Sequence, residues 1–195
     1  MDLESLFNNF YDIRPETLSA NSNRLKLLQL TDDSFQLYLD DLYEYSRNPD
    51  FYEYLEYPPF TSREECISYF NKLLNSIKSK REMVWLIILV NQGKAIGTIR
   101  FGQWNLYRKN TQVGYGISPQ YGQKGYFSEA LSYIINYAFN ILGFYRIESW
   151  TMSDNIGSIK GLEKLGFAYE GCLRKHNLKH DGTRHDVVIY AKINE

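Results

Sequence analysis

Ile117-Ser118-Pro119-Gln120-Tyr121-Gly122-Gln123-Lys124-Gly125-Tyr126 joins a short alternating segment, Gln112–Ile117, to the longest amphipathic stretch of the chain. In that stretch Phe127, Ala130, Leu131, Ile134, Ile135, Ala138, Phe139 and Leu142 recur at helical spacing, and Gly143 supplies a C-terminal stop. A strand therefore ends, a loop with two glycines comes next, and a long helix begins. Such a junction gathers backbone N–H groups at the positive end of a helix, which suits a phosphate or pyrophosphate. Gly122 and Gly125 permit a close backbone approach, and Lys124 adds charge. The same residues also fit an ordinary strand-to-helix turn, so the segment does not decide its role alone.

Outward from this junction the pattern is α/β. Upstream, residues 24–30, Met83–Val90 and Ala95–Gln103 read as strands, with Asn91-Gln92-Gly93-Lys94 as a turn. Helices are predicted near 33–47, behind the cap cluster Thr31-Asp32-Asp33, and near 62–79, behind a capping-box spacing of Thr61 and Glu64. Downstream, Tyr145–Thr151 is a strand, Asn155 caps a helix over 156–165, and Gly166 ends it. Phe167–Arg174 and Val187–Ile193 are strands joined across Asp181-Gly182. Early strands are mostly antiparallel, and a strand–helix–strand unit comes late. Residues 1–23 read as an amphipathic lead-in and then a loop closing on Ser-Ala-Asn-Ser-Asn, an N-terminal extension to one domain over 24–195.

The 195 residues suffice for one sizeable core. Two separated cysteines, Cys66 and Cys172, fit a reducing compartment better than a disulfide framework. No apolar run is long enough to span a bilayer, and the start lacks a basic segment followed by an apolar one, so the expected location is the cytoplasm, with no membrane partner. The net charge of −1 conceals an asymmetry: residues 1–65 carry 14 acidic and 5 basic side chains, and residues 66–195 carry 9 acidic and 17 basic. Either the faces are simply solvated, or the C-terminal part binds an anion and the N-terminal part welcomes a cation. Near-neutral charge without an aromatic-rich basic stripe argues against nucleic acid. His176, His180 and His185, with Asp181 and Asp186, match no familiar zinc spacing, so no metal is expected.

A second strand-to-helix junction, Asp154-Asn155-Ile156-Gly157-Ser158, precedes Glu163-Lys-Leu-Gly-Phe167. Two such junctions at the C-terminal ends of neighbouring strands define one crevice, where α/β sheets bind ligands. The segment Pro119–Leu131 resembles the acetyl-CoA pyrophosphate loop and helix of the GNAT acetyltransferases. Arg146-Ile-Glu148, Asn155-x-x-Ser158, Glu163–Phe167, Glu170-Gly-Cys-Leu-Arg174 and Asp186-Val-Val-Ile-Tyr190 resemble the RimJ/RimL branch, which contains ribosomal-protein N-terminal acetyltransferases. The likeness runs from about residue 24 to 193 and is carried by the ordered series of motifs. Two positions depart from the pattern. Gln123 stands where the first loop glycine is usual, and Asn177 stands where some relatives carry a carboxylate.

The resemblance implies a central mixed, V-shaped sheet of about seven strands flanked by about four helices. It implies acetyl-CoA as acyl donor, bound by Ile117, Gln120, Gly122, Gln123, Lys124, Gly125, Tyr126, Asn155 and Ser158. It implies direct attack of a neutral amine on the thioester, with Ser158 as acid and Asn155 near the reacting region. For the base Glu148 ranks first, acting through a water, against the alternative of a strand residue paired with Arg146. His176 ranks second, and Tyr190 reads as core. The first-choice acceptor is an α-amine of a protein or peptide. A small amine (polyamine, amino sugar, amino acid or antibiotic) and a non-catalytic CoA-binding module are the alternatives. A monomer or a homodimer is expected.

Overall fold

Seven strands share one sheet in the computed structural model, which describes residues 1–11 and 24–195. The strands are β1 Leu25–Gln29, β2 Glu82–Leu89, β3 Lys94–Asn105, β4 Asn110–Ile117, β5 Arg146–Met152, β6 Ala168–Leu178 and β7 Arg184–Ile193. Their spatial order is β1-β2-β3-β4-β5-β7-β6. Every neighbouring pair is antiparallel except β4 and β5, which run parallel as the strand–helix–strand reading requires. Among the described residues five α-helices accompany the sheet: α1 Leu3–Tyr11, α2 Asp32–Ser46, α3 Arg63–Lys78, α4 Tyr126–Asn140 and α5 Ile156–Lys164.

The core is built on the dense apolar run of β2. Residues 83–89 are all buried, as expected of a strand with another on each edge and helices packed over the sheet. Trp85 lies at its centre and meets Phe10, Phe101 and Tyr137 edge to face at centroid distances of 5.1, 5.9 and 5.9 Å. Phe10 comes from α1. The lead-in is thus a helix whose Leu6, Phe7 and Phe10 are buried in the same core as the sheet, which brings the helix count to five. Nine residues do not hold a helix alone; α1 is stabilised by its apolar face and by the Tyr137 hydroxyl, which donates to the Asn9 carbonyl at 2.9 Å. The proposed loop at residues 19–23 lies outside the described residues.

Two local expectations shift. The N-cap of α3 is Ser62, not Thr61: Ser62 Oγ accepts the Glu65 N–H, and the Glu65 carboxylate reaches back to the Thr61 N–H at 2.7 Å. The cap thus sits one residue later than the spacing of Thr61 and Glu64 suggested, and the returning carboxylate bonds the N–H of the residue before the N-cap rather than that of the N-cap itself. Strand β6 runs to Leu178 rather than Arg174. Residues 174–178 lack apolar alternation, but Asn177 and Leu178 pair with His185 and Arg184 of β7, so the backbone ladder extends the strand. No described helix is long and apolar enough to cross a membrane.

Candidate active site

The sheet parts between β4 and β5. Parallel pairing covers only Asn110–Gln112 against Arg146–Glu148. Beyond it β4 still pairs with β3, out to Ile117, but among the described residues it has no strand on its other side. Its free edge from Val113 to Ile117 borders a cleft of about 950 Å³, whose other wall includes Ser149, Trp150, Thr151 and Met152 of β5. This is the V expected of the sheet, and both strand ends open into it. An edge of unpaired peptide groups can bind an extended ligand with amides of its own, as an added strand would.

Three hydroxyls bridge the gap. Ser158, in the first turn of α5, has its Oγ 2.6 Å from the Tyr115 hydroxyl of β4, and Ser149 Oγ of β5 donates to the Tyr115 oxygen at 3.4 Å. Ser149 and Ser158 are both buried. Burial pushes the Tyr115 phenol above its ordinary pKa, so it stays protonated. Asn155 caps α5 by accepting the Ser158 N–H at 3.0 Å and so fixes the backbone that carries Ser158.

At the other junction, Gly125 is the N-cap of α4 with φ +79°, a conformation open to glycine at little cost. Gln123 adopts φ +59°, also left-handed, so glutamine here carries the strain that a glycine would not. Gln123→Gly is expected to raise stability by about 0.5–1 kcal/mol, a Tm gain of roughly 1–4 °C by thermal shift. A lower Tm would show that the exposed Gln123 side chain itself stabilises the loop. Arg24 braces this region. Its Nε donates to Glu129 Oε2 at 3.0 Å, its Nη1 donates to the Lys124 carbonyl at 3.3 Å, and its guanidinium lies 5.0 Å from the Tyr126 ring centroid.

Of the residues singled out in the sequence, Ile117, Gly122, Gln123, Gly125, Tyr126, Asn155 and Ser158 line the cleft together. Gln120 and Lys124 are not among its lining residues; Lys124 Nζ instead donates to the Gln120 carbonyl at 3.1 Å. Glu148 is also absent from the lining. One of its oxygens accepts Arg146 Nε–H at 3.1 Å and the other accepts Trp150 Nε1–H at 3.2 Å. Arg146 in turn holds Glu170, which keeps that carboxyl below its usual range. His176 and Asn177 do line the cleft, with the His176 ring edge-on to Trp150 at 5.8 Å. Tyr190 is buried and donates to Glu163 at 3.0 Å. His185 meets Thr183 at 2.9 Å and Asp154 at 3.5 Å, and among the described residues no cluster of His, Cys, Asp and Glu is arranged to hold a metal.

Tyr115 and Ser149 escaped the sequence reading. The signal for Tyr115 was present: one polar-tipped aromatic between Gly114 and Gly116, on the same strand face as Val113 and Ile117. The charge asymmetry does reach the cleft. Asp50 and Glu56 from the acidic N-terminal third line it, and so do Lys160 and Lys164 of α5.

The sequence matches the family model of the acetyltransferase (GNAT) domain over residues 24–168. It is 30% identical over 179 residues to the uncharacterized N-acetyltransferase p20 of Bacillus licheniformis, covering 90% of this chain and 95% of p20. Two solved structures share the fold. RimL, a ribosomal L7/L12 α-N-protein acetyltransferase in complex with coenzyme A, superposes with a TM-score of 0.77 at 22% identity, covering 88% of this chain and 95% of RimL. The microcin C7 self-immunity acetyltransferase MccE, in complex with acetyl-CoA and AMP, gives 0.78 at 21%, covering 89% and 94%.

Proposed function

The chain belongs to the GNAT acetyltransferase family and is an acetyl-CoA-dependent N-acetyltransferase, and from that premise we propose that its acceptor is the α-amine of a protein or peptide, as in the RimJ/RimL branch. One observation carries this choice: the carboxylate ranked first as base, Glu148, has its oxygens engaged by Arg146 and Trp150 and stands outside the cleft lining. It keeps a place in the reading only as a base acting through water. With Glu148 engaged, His176 is the ranked base left on the cleft lining, and a weak base of that kind favours an amine that is already partly neutral. An α-amine with a pKa of about 7.7–8.0 is roughly a tenth neutral at pH 7, against about 0.04% for a lysine side chain.

The residues fit the donor. The loop from Gly122 to Tyr126 and the start of α4 would hold the pyrophosphate, and the free edge of β4 would hold the pantetheine amides. Lys160 and Lys164 place positive charge on the same cleft. Acetyl-CoA supplies the activated acyl group when bound. Ser158 would then donate its hydroxyl proton toward the departing sulfur, Tyr115 would hand a proton on to Ser158, and the proton lost by the attacking amine would restore the Tyr115 hydroxyl, so that one proton leaves nitrogen for each that reaches sulfur. Asn155 holds Ser158 in place, and Asp50 and Glu56 attract the cationic acceptor before it is deprotonated. The catalytic domain is residues 24–195, with α1 lending its apolar face to the shared core.

A polyamine is the specific rival, because Asp50, Glu56 and Glu82 all line the cleft. A thiol-release assay with acetyl-CoA and a panel of peptides and small amines separates the two. Turnover is expected on peptides with free N-termini; turnover on small amines and none on peptides would overturn the choice. If coenzyme binds tightly, no amine reacts and Ser158→Ala changes nothing, the chain is a binding module.

A further inference from the structure

A chamber of about 80 Å³ opens off the cleft, and Phe51, Tyr57, Arg100, Gly114, Tyr115 and Gly116 line both spaces. Its remaining wall is largely aromatic, and Arg100 is the one charged side chain on it. The chamber meets the cleft along Gly114, Tyr115 and Gly116 of β4, the strand whose free edge borders the proposed acyl-transfer site.

The placement of Arg100 has a local cause. In the β3–β4 ladder Arg100 stands opposite Gly114. A Cβ added to Gly114 would lie 3.0 Å from Arg100 Nε and 3.4 Å from its Cγ. The arginine stem therefore lies across β4 in the space left by the missing side chain. The guanidinium has one hydrogen bond among the described residues, a long one, from Nη1 to Glu82 Oε1 at 3.3 Å. Five N–H donors are present on that group, so most are without a described partner; Arg100 lines both the chamber and the cleft, and its side chain is 39% exposed.

We propose that Arg100 recognises an oxygen of the acceptor, the carbonyl or carboxylate next to the amine, and thereby selects α-amino carbonyl acceptors over plain alkylamines and polyamines. The inference rests on the reading of the cleft as the acyl-transfer site and deepens it. A guanidinium matches a carbonyl or carboxylate with paired donors, and it repels a second ammonium group. Asp50 and Glu56 on the cleft lining attract the amine, while Arg100 attracts the oxygen beside it. A purely structural role, pairing with Glu82, makes a different prediction: every acceptor would suffer alike.

The test uses the full chain and acetyl-CoA with three acceptors: a tripeptide with a free N-terminus, an alkylamine lacking the carbonyl, and spermidine. Arg100→Gln is expected to raise KM for the tripeptide about tenfold or more and to lower the tripeptide-to-alkylamine ratio of kcat/KM by a similar factor. Arg100→Lys should recover part of that ratio. Gly114→Ala, which displaces the Arg100 stem, should lower it too and serves if Arg100→Gln does not fold. An unchanged ratio in a folded Arg100→Gln protein that still acetylates the tripeptide overturns the role of Arg100 and leaves the α-amine reading standing. A wild-type protein that acetylates spermidine and the alkylamine but no peptide overturns both.

Discussion

Ser158→Ala is expected to lower kcat about a hundredfold while KM for acetyl-CoA changes little, the pattern of a proton delivered mainly in the transition state. The lower end of the usual range for acid catalysis applies because a thiol of pKa about 8.5 leaves with little help. Tyr115→Phe is expected to cost about tenfold. The decisive measurement is the double variant. Because the Tyr115 hydroxyl lies 2.6 Å from Ser158 Oγ and serves the reaction through it, the double variant should be no slower than Ser158→Ala alone. Multiplying effects, near a thousandfold in total, would mean that the two hydroxyls act on separate steps, and the relay would be abandoned. The pH profile gives a second reading. Burial raises the Tyr115 pKa, so its proton is lost only above the ordinary tyrosine value of about 10. An alkaline limb of kcat below that pH should therefore persist unchanged in Tyr115→Phe.

What could be read from the sequence was whatever is local in the chain. The spacing from Phe127 to Leu142 gave α4, and the glycines and caps at 122–125 and 155 gave the two junctions. Both junctions then fall on one cleft, because β4 and β5 are parallel neighbours joined by α4. The hydroxyl chain was hidden because Tyr115, Ser149 and Ser158 lie on three elements and meet only across a gap between strands. Helix α1 was underread for a related reason: its stability comes from burying Phe7 and Phe10 against Trp104 and Trp85, contacts made far along the chain. Glu148 shows the reverse. Its type suggested a base, and only the structure shows both oxygens engaged by Arg146 and Trp150.

Gly161→Ala should damage the enzyme although it inserts a better helix former. In an exposed helix interior the change would stabilise by about 1 kcal/mol. Here α5 packs on α4 at Gly161, and an added Cβ would overlap the Phe127 ring, coming within 2.9 Å of its Cδ1. Phe127 lines the cleft and packs on Tyr115 with ring centroids 4.4 Å apart, so a ring pushed away from α5 moves toward the coenzyme path and the Tyr115–Ser158 pair. Overpacking of this kind costs about 1–3 kcal/mol, which corresponds to a Tm loss of roughly 2–12 °C in a chain of this size. KM for acetyl-CoA is expected to rise about tenfold, one order of magnitude for each ~1.4 kcal/mol of lost binding. The compensating change is Phe127→Leu, which removes the clashing ring edge. In the Gly161→Ala background it should restore most of the affinity for coenzyme, measured by calorimetric titration with CoA. A Gly161→Ala protein that is more stable than the parent and binds CoA equally well would show that α4 and α5 do not meet at this glycine, and the wall of the cleft would have to be redrawn.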